Sequence, residues 1–120
     1  MKKAVIGMTV QQLTDALSLN IFHLDDPDRP VTGAYCGDLL SWVMGRAPAD
    51  GAWLTIMSNV NVAAVAALAD VACVVLAEGV TPDAPLQSKA AAQGITLLGT
   101  QLSVYDCAVR LGALGVGTDP

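Results

Sequence analysis

From residue 53 onward the chain keeps a regular rhythm, in which short runs of almost uninterrupted apolar residues alternate with stretches of helical character. The runs are 53–57 (WLTIM), 72–76 (ACVVL) and 95–98 (ITLL). Between and after them lie 61–68, a segment opened by Thr81 and Pro82 and closed by Gly94, and a segment from Ser103 to about Leu114. A strand that is apolar on every residue has both faces buried, and sheets built from such strands are mostly parallel and covered by helices on each side. The pattern predicts an α/β fold in three layers, α/β/α, around a mainly parallel sheet.

The first fifty residues are less regular and predict that the sheet is mixed. Thr9 with Gln12 forms a capping-box pattern opening a helix over 10–17. SLNIFHL (18–24) reads as a strand, and DDPDRP (25–30) as a surface loop. A short strand is expected over 31–35, broken by Gly37 before a helix over 38–44 that stops at Gly45. RAPADG follows as a loop. Pro82 suits an early helical position, where its missing N–H costs nothing. Ser103 and Asp106 make a second capping pattern, and 115–120 reads as a frayed tail.

The chain's 120 residues make one domain with one core. Apolar residues are 53% of the chain and charged ones 14%, which excludes intrinsic disorder. Aromatics are only 4%, so Ala, Val, Leu and Ile must fill the interior. A formal charge of -5, with six scattered basic residues, argues against binding nucleic acid. The longest weakly charged run, 60–77, is interrupted by Asp70 and predicts a buried helix and strand, not a membrane span. The opening MKKAVIGMTVQQL is too short in apolar residues for a signal peptide, so a cytoplasmic protein is expected. Cys36, Cys73 and Cys107 lack metal spacing and read as reduced thiols. No metal or cofactor is expected. The surplus of apolar residues predicts an oligomer interface, in the form of a homodimer.

Residues 31–66 concentrate glycines and polar side chains beside apolar ones, the composition of a ligand crevice. Gly33, Gly37 and Asp38 form G-x-x-x-G-D at a strand-to-helix turn, where backbone comes close to a ligand and helix N–H groups are free. Asp38 is there either a helix N-cap or a ligand contact, and Ser41 follows on the same turn. The lysine and hydroxyl of a phosphate-binding P-loop are absent. Ser58, Asn59 and Asn61 are the densest cluster of hydrogen-bonding side chains. One is expected to cap the next helix and the others to bind, because parallel sheets bind ligands at the carboxyl ends of their strands.

Glu78 and Thr100 stand at the ends of the next two strands, with Thr81 close behind. Asn59, Glu78 and Thr100 are thus predicted to share one sheet edge. The pattern contains no nucleophile with a base beside it. G-x-S-x-G is missing, His23 lies on an apolar strand without metal-ligand spacing, and nothing basic adjoins Cys36. Trp42 and Trp53 read as packing residues, and the acidic loop 25–30 as solvated. The expected function is a non-catalytic module that senses a small ligand or binds a protein partner. A small enzyme using Asp38 or Glu78 as base, with Ser41 or Cys36 nearby, is the alternative.

Three stretches carry a family resemblance: VTGAYCGDLLSWVM, WLTIMSNVNVAAVAALADVACVVLAEG and APLQSKAAAQGITLLGTQLSVYDCAVRL. They resemble a stand-alone DRTGG domain, a family similar to the N-terminal domain of HPr kinase/phosphorylase and to the regulatory segment of long phosphotransacetylases. The match runs from about Thr9 to Leu114. The literal string DRTGG is absent, and Asp28-Arg29 is too isolated to stand in for it. The resemblance implies an α/β/α fold, self-association and no catalytic site, since the kinase chemistry of that relative lies in a separate domain. DRTGG domains accompany CBS domains, which implies sensing of a small ligand of nucleotide class. Stand-alone forms lie near iron-hydrogenase genes in anaerobic bacteria, which implies an accessory role in a redox assembly as another reading.

Overall fold

The capping box at Thr9 forms as expected. Thr9 Oγ1 accepts from the Gln12 N–H at 3.1 Å, and Gln12 Oε1 accepts from the Thr9 N–H at 3.0 Å. In the computed structural model, which describes residues 8–117, this box follows β1 (Met8–Thr9) and starts α1 (Val10–Leu17). The first seven residues, with the opening apolar run, and the last three of the tail lie outside the described residues.

The chain continues through β2 (Asn20–His23), β3 (Pro30–Val31), β4 (Gly33–Cys36), α2 (Leu40–Arg46) and β5 (Gly51–Thr55). It then runs through α3 (Asn61–Ala69), β6 (Cys73–Leu76), α4 (Ala84–Gln93), β7 (Leu97–Gly99) and α5 (Val104–Ala113). The main sheet has the order β2-β7-β6-β5-β4. Strands β4 to β7 are parallel, and β2 joins β7 antiparallel, so the sheet is mixed as the irregular start predicted. β1 and β3 form a separate two-stranded antiparallel ladder.

Three successive crossovers step along the sheet in one direction. Such connections are right-handed, which places α2, α3 and α4 on a single face. The cores record this. On one face Trp53, Val74, Leu76 and Leu97 pack with Val43 of α2, with Val62, Ala63 and Ala66 of α3, and with Leu86 and Ala90 of α4. On the other, Ala52, Leu54, Cys73, Val75 and Leu98 pack with Val10 and Leu13 of α1 and with Cys107 and Leu111 of α5. β5, β6 and β7 therefore divide their residues alternately between two cores, the pleat of a strand buried on both sides, whereas edge strand β4 leaves Ala34 and Cys36 exposed. The three-layer α/β/α reading holds.

Several boundaries differ from the sequence reading. Gly45 does not end α2, which runs on to Arg46 with Ala47 as its cap, and the helix starts at Leu40, not at Asp38. α4 begins two residues after Pro82, because the Asp83 side chain takes the Leu86 N–H at 2.8 Å and fixes the N-cap there; Pro85 sits in the first turn. The tail is not frayed at 115–117. Val116 is buried among the α1 and α5 side chains, and Gly117 lies against the backbone of Gly33 and Ala34. Nor is loop 25–30 merely solvated. Arg29 donates to Asp50 and to Asp70, each carboxylate at 2.9 Å, and to the Asp70 carbonyl at 2.7 Å. Among the described residues no helix is long and apolar enough to cross a membrane.

Candidate functional site

The connections leaving β6 and β7 part company. After β6 the chain turns to α4 on one face, and after β7 it turns to α5 on the other. In an open α/β sheet the gap left by two such diverging loops, at the carboxyl ends of the strands, is where ligands bind. A cleft of about 70 Å³ lies there. Its walls are Asn20 and Phe22 of β2, residues 79–81 of the turn before α4, and residues 99–101 at the end of β7. The antiparallel pairing of Asn20 with Gly99 brings the start of β2 to this edge.

The turn is tightly built. Glu78 and Gly79 both have left-handed backbone, φ 60° and 74°, and the Val80 N–H donates to the Ala77 carbonyl at 3.1 Å. The Glu78 N–H donates to the Leu102 carbonyl and the Gly79 N–H to the Thr100 carbonyl, both at 2.8 Å. These bonds tie the two cleft-forming loops together. A Cβ on Gly79 would stand 2.7 Å from Gln101 Oε1, and one on Gly99 would stand 2.5 Å from the Phe22 ring. Both glycines let a side chain descend onto backbone at the cleft.

Of the expected site residues, Thr100 lines this cleft and Glu78 adjoins it, with its side chain exposed. Thr100 Oγ1 accepts from the Leu102 N–H at 3.1 Å. Asn59, Ser58 and Asn61 stand at the carboxyl end of β5, further along the same edge. Asn59 Oδ1 accepts from the Asn61 N–H at 2.9 Å, a local turn just ahead of α3; the N-cap itself is Val60 and has no side-chain bond, so none of the trio is the N-cap that was expected. The Ser58 carbonyl accepts from Asp83, pinning the start of α4.

Asp38 is drawn into a tertiary contact. It does not cap α2, whose N-cap Leu39 has no side-chain bond. Its Oδ1 instead accepts from the fully buried Thr55 hydroxyl at 2.6 Å and from the Ile56 N–H at 3.1 Å, clamping β4 to the end of β5. Gly37 is similarly occupied. Its N–H donates to Leu54 and its carbonyl accepts from the Trp53 indole at 2.8 Å. Ser41 is exposed on α2, with no side-chain hydrogen bond among the described residues.

The remaining side chains with reactive potential are accounted for by packing. His23 Nδ1 donates to the Ile95 carbonyl at 3.0 Å. Burial pushes the Cys73 thiol up to about 12 and the Cys107 thiol up to about 11, and it raises Cys36 as well, so no thiol is activated as a nucleophile. Among the described residues no group of three His, Cys, Asp or Glu is placed to hold a metal. Sequence reasoning missed Asn20, Phe22 and Gln101 of the cleft. A short polar-then-apolar strand gave no signal that it would pair with β7, nearly eighty residues later.

The chain is thus a three-layer α/β domain with a cleft at its sheet edge. No family model matches it, and no curated protein matches it in sequence. Among solved structures it is similar to the CBS and DRTGG domains of the regulatory region of Clostridium perfringens pyrophosphatase, complexed with its activator, diadenosine tetraphosphate. The TM-score is 0.72 at 13% identity, covering 91% of this chain and 47% of that one. The chain spans about half the length of that structure. At this identity the likeness shows the fold, and it agrees with a DRTGG-like architecture.

Proposed function

We propose that this domain is a non-catalytic regulatory module that senses a small ligand of nucleotide class at the carboxyl edge of its sheet. The observation that carries this reading is the cleft at the β6/β7 divergence, which is walled by neutral polar groups and has no acid–base pair in it. The fold shared with part of a pyrophosphatase regulatory region that was solved with a nucleotide activator supports it. Gly37, Asp38, Ser41, Ser58, Asn59 and Asn61 extend the same edge and contact the bulk of a ligand that the cleft holds at one end.

A homodimer is the working form. Among the described residues β4 is the last strand of the sheet, and Leu39, Trp42 and Ile56 expose about half their surface near it. This surface serves equally for a protein partner. Light scattering after gel filtration should give twice the chain mass, with Trp42→Glu shifting it to the monomer.

The ligand reading is tested by thermal shift with adenine nucleotides, diadenosine tetraphosphate and central metabolites. A ligand at a hundred times its Kd stabilises by about 2.7 kcal/mol, which raises Tm by several degrees. No shift with any of them at millimolar concentration refutes sensing. If Asn59→Ala and Asp38→Ala leave every shift intact relative to their own ligand-free Tm, the β4/β5 end of the edge takes no part.

A further inference from the structure

Resting on that ligand-sensing reading, we propose that the β6/β7 cleft takes an uncharged, planar, hydrogen-bonding group. A carboxamide or the edge of a nucleobase fits this description; a phosphate or carboxylate does not.

The side chains around the cleft define its chemistry. Asn20, Thr81 and Gln101 face it, and none has a side-chain hydrogen bond to another described residue. The hydroxyl of Thr100 accepts one bond and keeps its proton for another acceptor. Two carboxamides and two hydroxyls offer donors and acceptors in a small space, with the Phe22 ring as an apolar wall. That is the complement of a neutral group carrying both functions. No Lys or Arg lines the cleft.

Phosphate sites on α/β sheets use free backbone N–H groups of a turn or a helix N-terminus. Here most of those groups are occupied, those of Thr81 and Gln101 excepted. The N–H groups of Glu78, Gly79 and Val80 donate to Leu102, Thr100 and Ala77, and that of Thr100 donates to Leu76. The N–H of Leu102 goes to the Thr100 hydroxyl. Each helix that starts beside the cleft already holds its own carboxylate, Asp83 at the cap of α4 and Asp106 in the first turn of α5. Glu78 stands in the turn itself. An arriving anion meets like charge, no Lys or Arg, and only the Thr81 and Gln101 N–H groups as unpaired backbone donors among the described lining residues outside the strands.

Size sharpens the assignment. About 10–15 Å³ of such cavity space holds one water molecule. A cleft of about 70 Å³ therefore admits a carboxamide or one edge of a ring. A whole nucleotide does not fit, so any phosphates of a nucleotide ligand lie outside.

The test compares neutral and anionic probes on the full chain by titration monitored through backbone amide NMR. The probes are nicotinamide against nicotinate, adenosine against its monophosphate, and inorganic phosphate alone. Nicotinamide and adenosine should perturb Asn20, Thr81, Thr100 and Gln101, with affinity unchanged between low and high salt. Nicotinate should bind at least about tenfold more weakly, and Gln101→Ala should weaken nicotinamide about tenfold. Gln101 is exposed, so its replacement leaves the fold intact. Perturbation of the cleft by phosphate or nicotinate at equal affinity overturns the inference and leaves sensing standing. So does nucleotide binding that perturbs only the Asp38 and Asn59 end. Silence from every probe and every nucleotide overturns both.

Discussion

The hydroxyl of Thr55 donates to Asp38 Oδ1 at 2.6 Å, across the joint between β4 and the end of β5. Thr55 is fully buried, and its oxygen also accepts from the Met57 N–H at 3.2 Å. A three-link chain thus fixes the turn into α2 and the loop before α3 with one carboxylate. Two of the expected edge segments are held by the same bond.

That bond makes a prediction about stability. Thr55→Val keeps the shape but leaves the Met57 N–H without its acceptor and Asp38 with a single donor. The cost should be about 1–3 kcal/mol in urea unfolding. Asp38→Asn retains an acceptor oxygen and should cost less than Asp38→Ala. The double variant Thr55→Val/Asp38→Ala should fall well short of the sum, since both remove one interaction. Additive losses would show that the two residues act separately.

A second anchor lies at the opposite edge. Arg29 bonds both Asp50 and Asp70, residues with left-handed backbone at φ 60° and 57°. Burial alone lowers the pKa of Arg29, but the bonds and charges of Asp70 and Asp50 outweigh it and raise the value. Exposed ion pairs are usually worth less than about 1 kcal/mol. This guanidinium also takes a backbone carbonyl and joins three loops, so Arg29→Ala should cost about 1–2 kcal/mol. Arg29→Lys should recover little of it, because an ammonium cannot serve both carboxylates in the same fork geometry. Full recovery by lysine would reduce the anchor to simple charge.

What could be read from the sequence was what depends on near neighbours. The Thr9–Gln12 box, the Ser103 cap and the Gly94 stop are each set within four residues, and each is present. The parallel core was legible because its strands are apolar on both faces. Asp38 was harder. Its type and position suit an N-cap, but a tertiary partner on β5 outcompetes the helix for its oxygen. The cleft was harder still, since Phe22 meets Gly99 only through a pairing that no local pattern announces.

The buried thiols give a pH prediction with a definite sign. Burial raises the Cys73 thiol from 9.0 to about 12, with Cys107 adding to the shift and Arg29 opposing it. Below pH 9.0 the thiol is protonated whether the chain is folded or not, and its contribution to stability is fully present. Above that the unfolded chain releases a proton that the folded chain keeps. Stability then falls by about 1.4 kcal/mol per pH unit from this thiol, until pH approaches the folded value. Urea unfolding of Cys73→Ala should therefore show a shallower decline above pH 9.0 than the parent. A native thiol-reagent assay should reach only Cys36 readily, the exposed one of three, with all three reacting in denaturant.

Gly99 and Phe22 supply the sharpest packing test of the cleft. A methyl group on Gly99 would stand 2.5 Å from Cε2 and 3.0 Å from Cζ of the ring, well inside contact distance. β7 cannot retreat, because it is paired with β2 on one side and β6 on the other. The ring must therefore move, either into the cleft or away from the core it shares with α4. Gly99→Ala should cost about 1–3 kcal/mol as an overpacking change and should abolish ligand shifts that depend on the cleft. The same substitution in a Phe22→Ala background meets no ring, so its cost should nearly vanish. That reversal distinguishes steric conflict from a requirement of the strand for glycine, since Gly99 carries no positive φ that would demand one. An equal penalty in both backgrounds would mean that the ring is not what excludes a side chain, and that the cleft wall is set by the backbone alone.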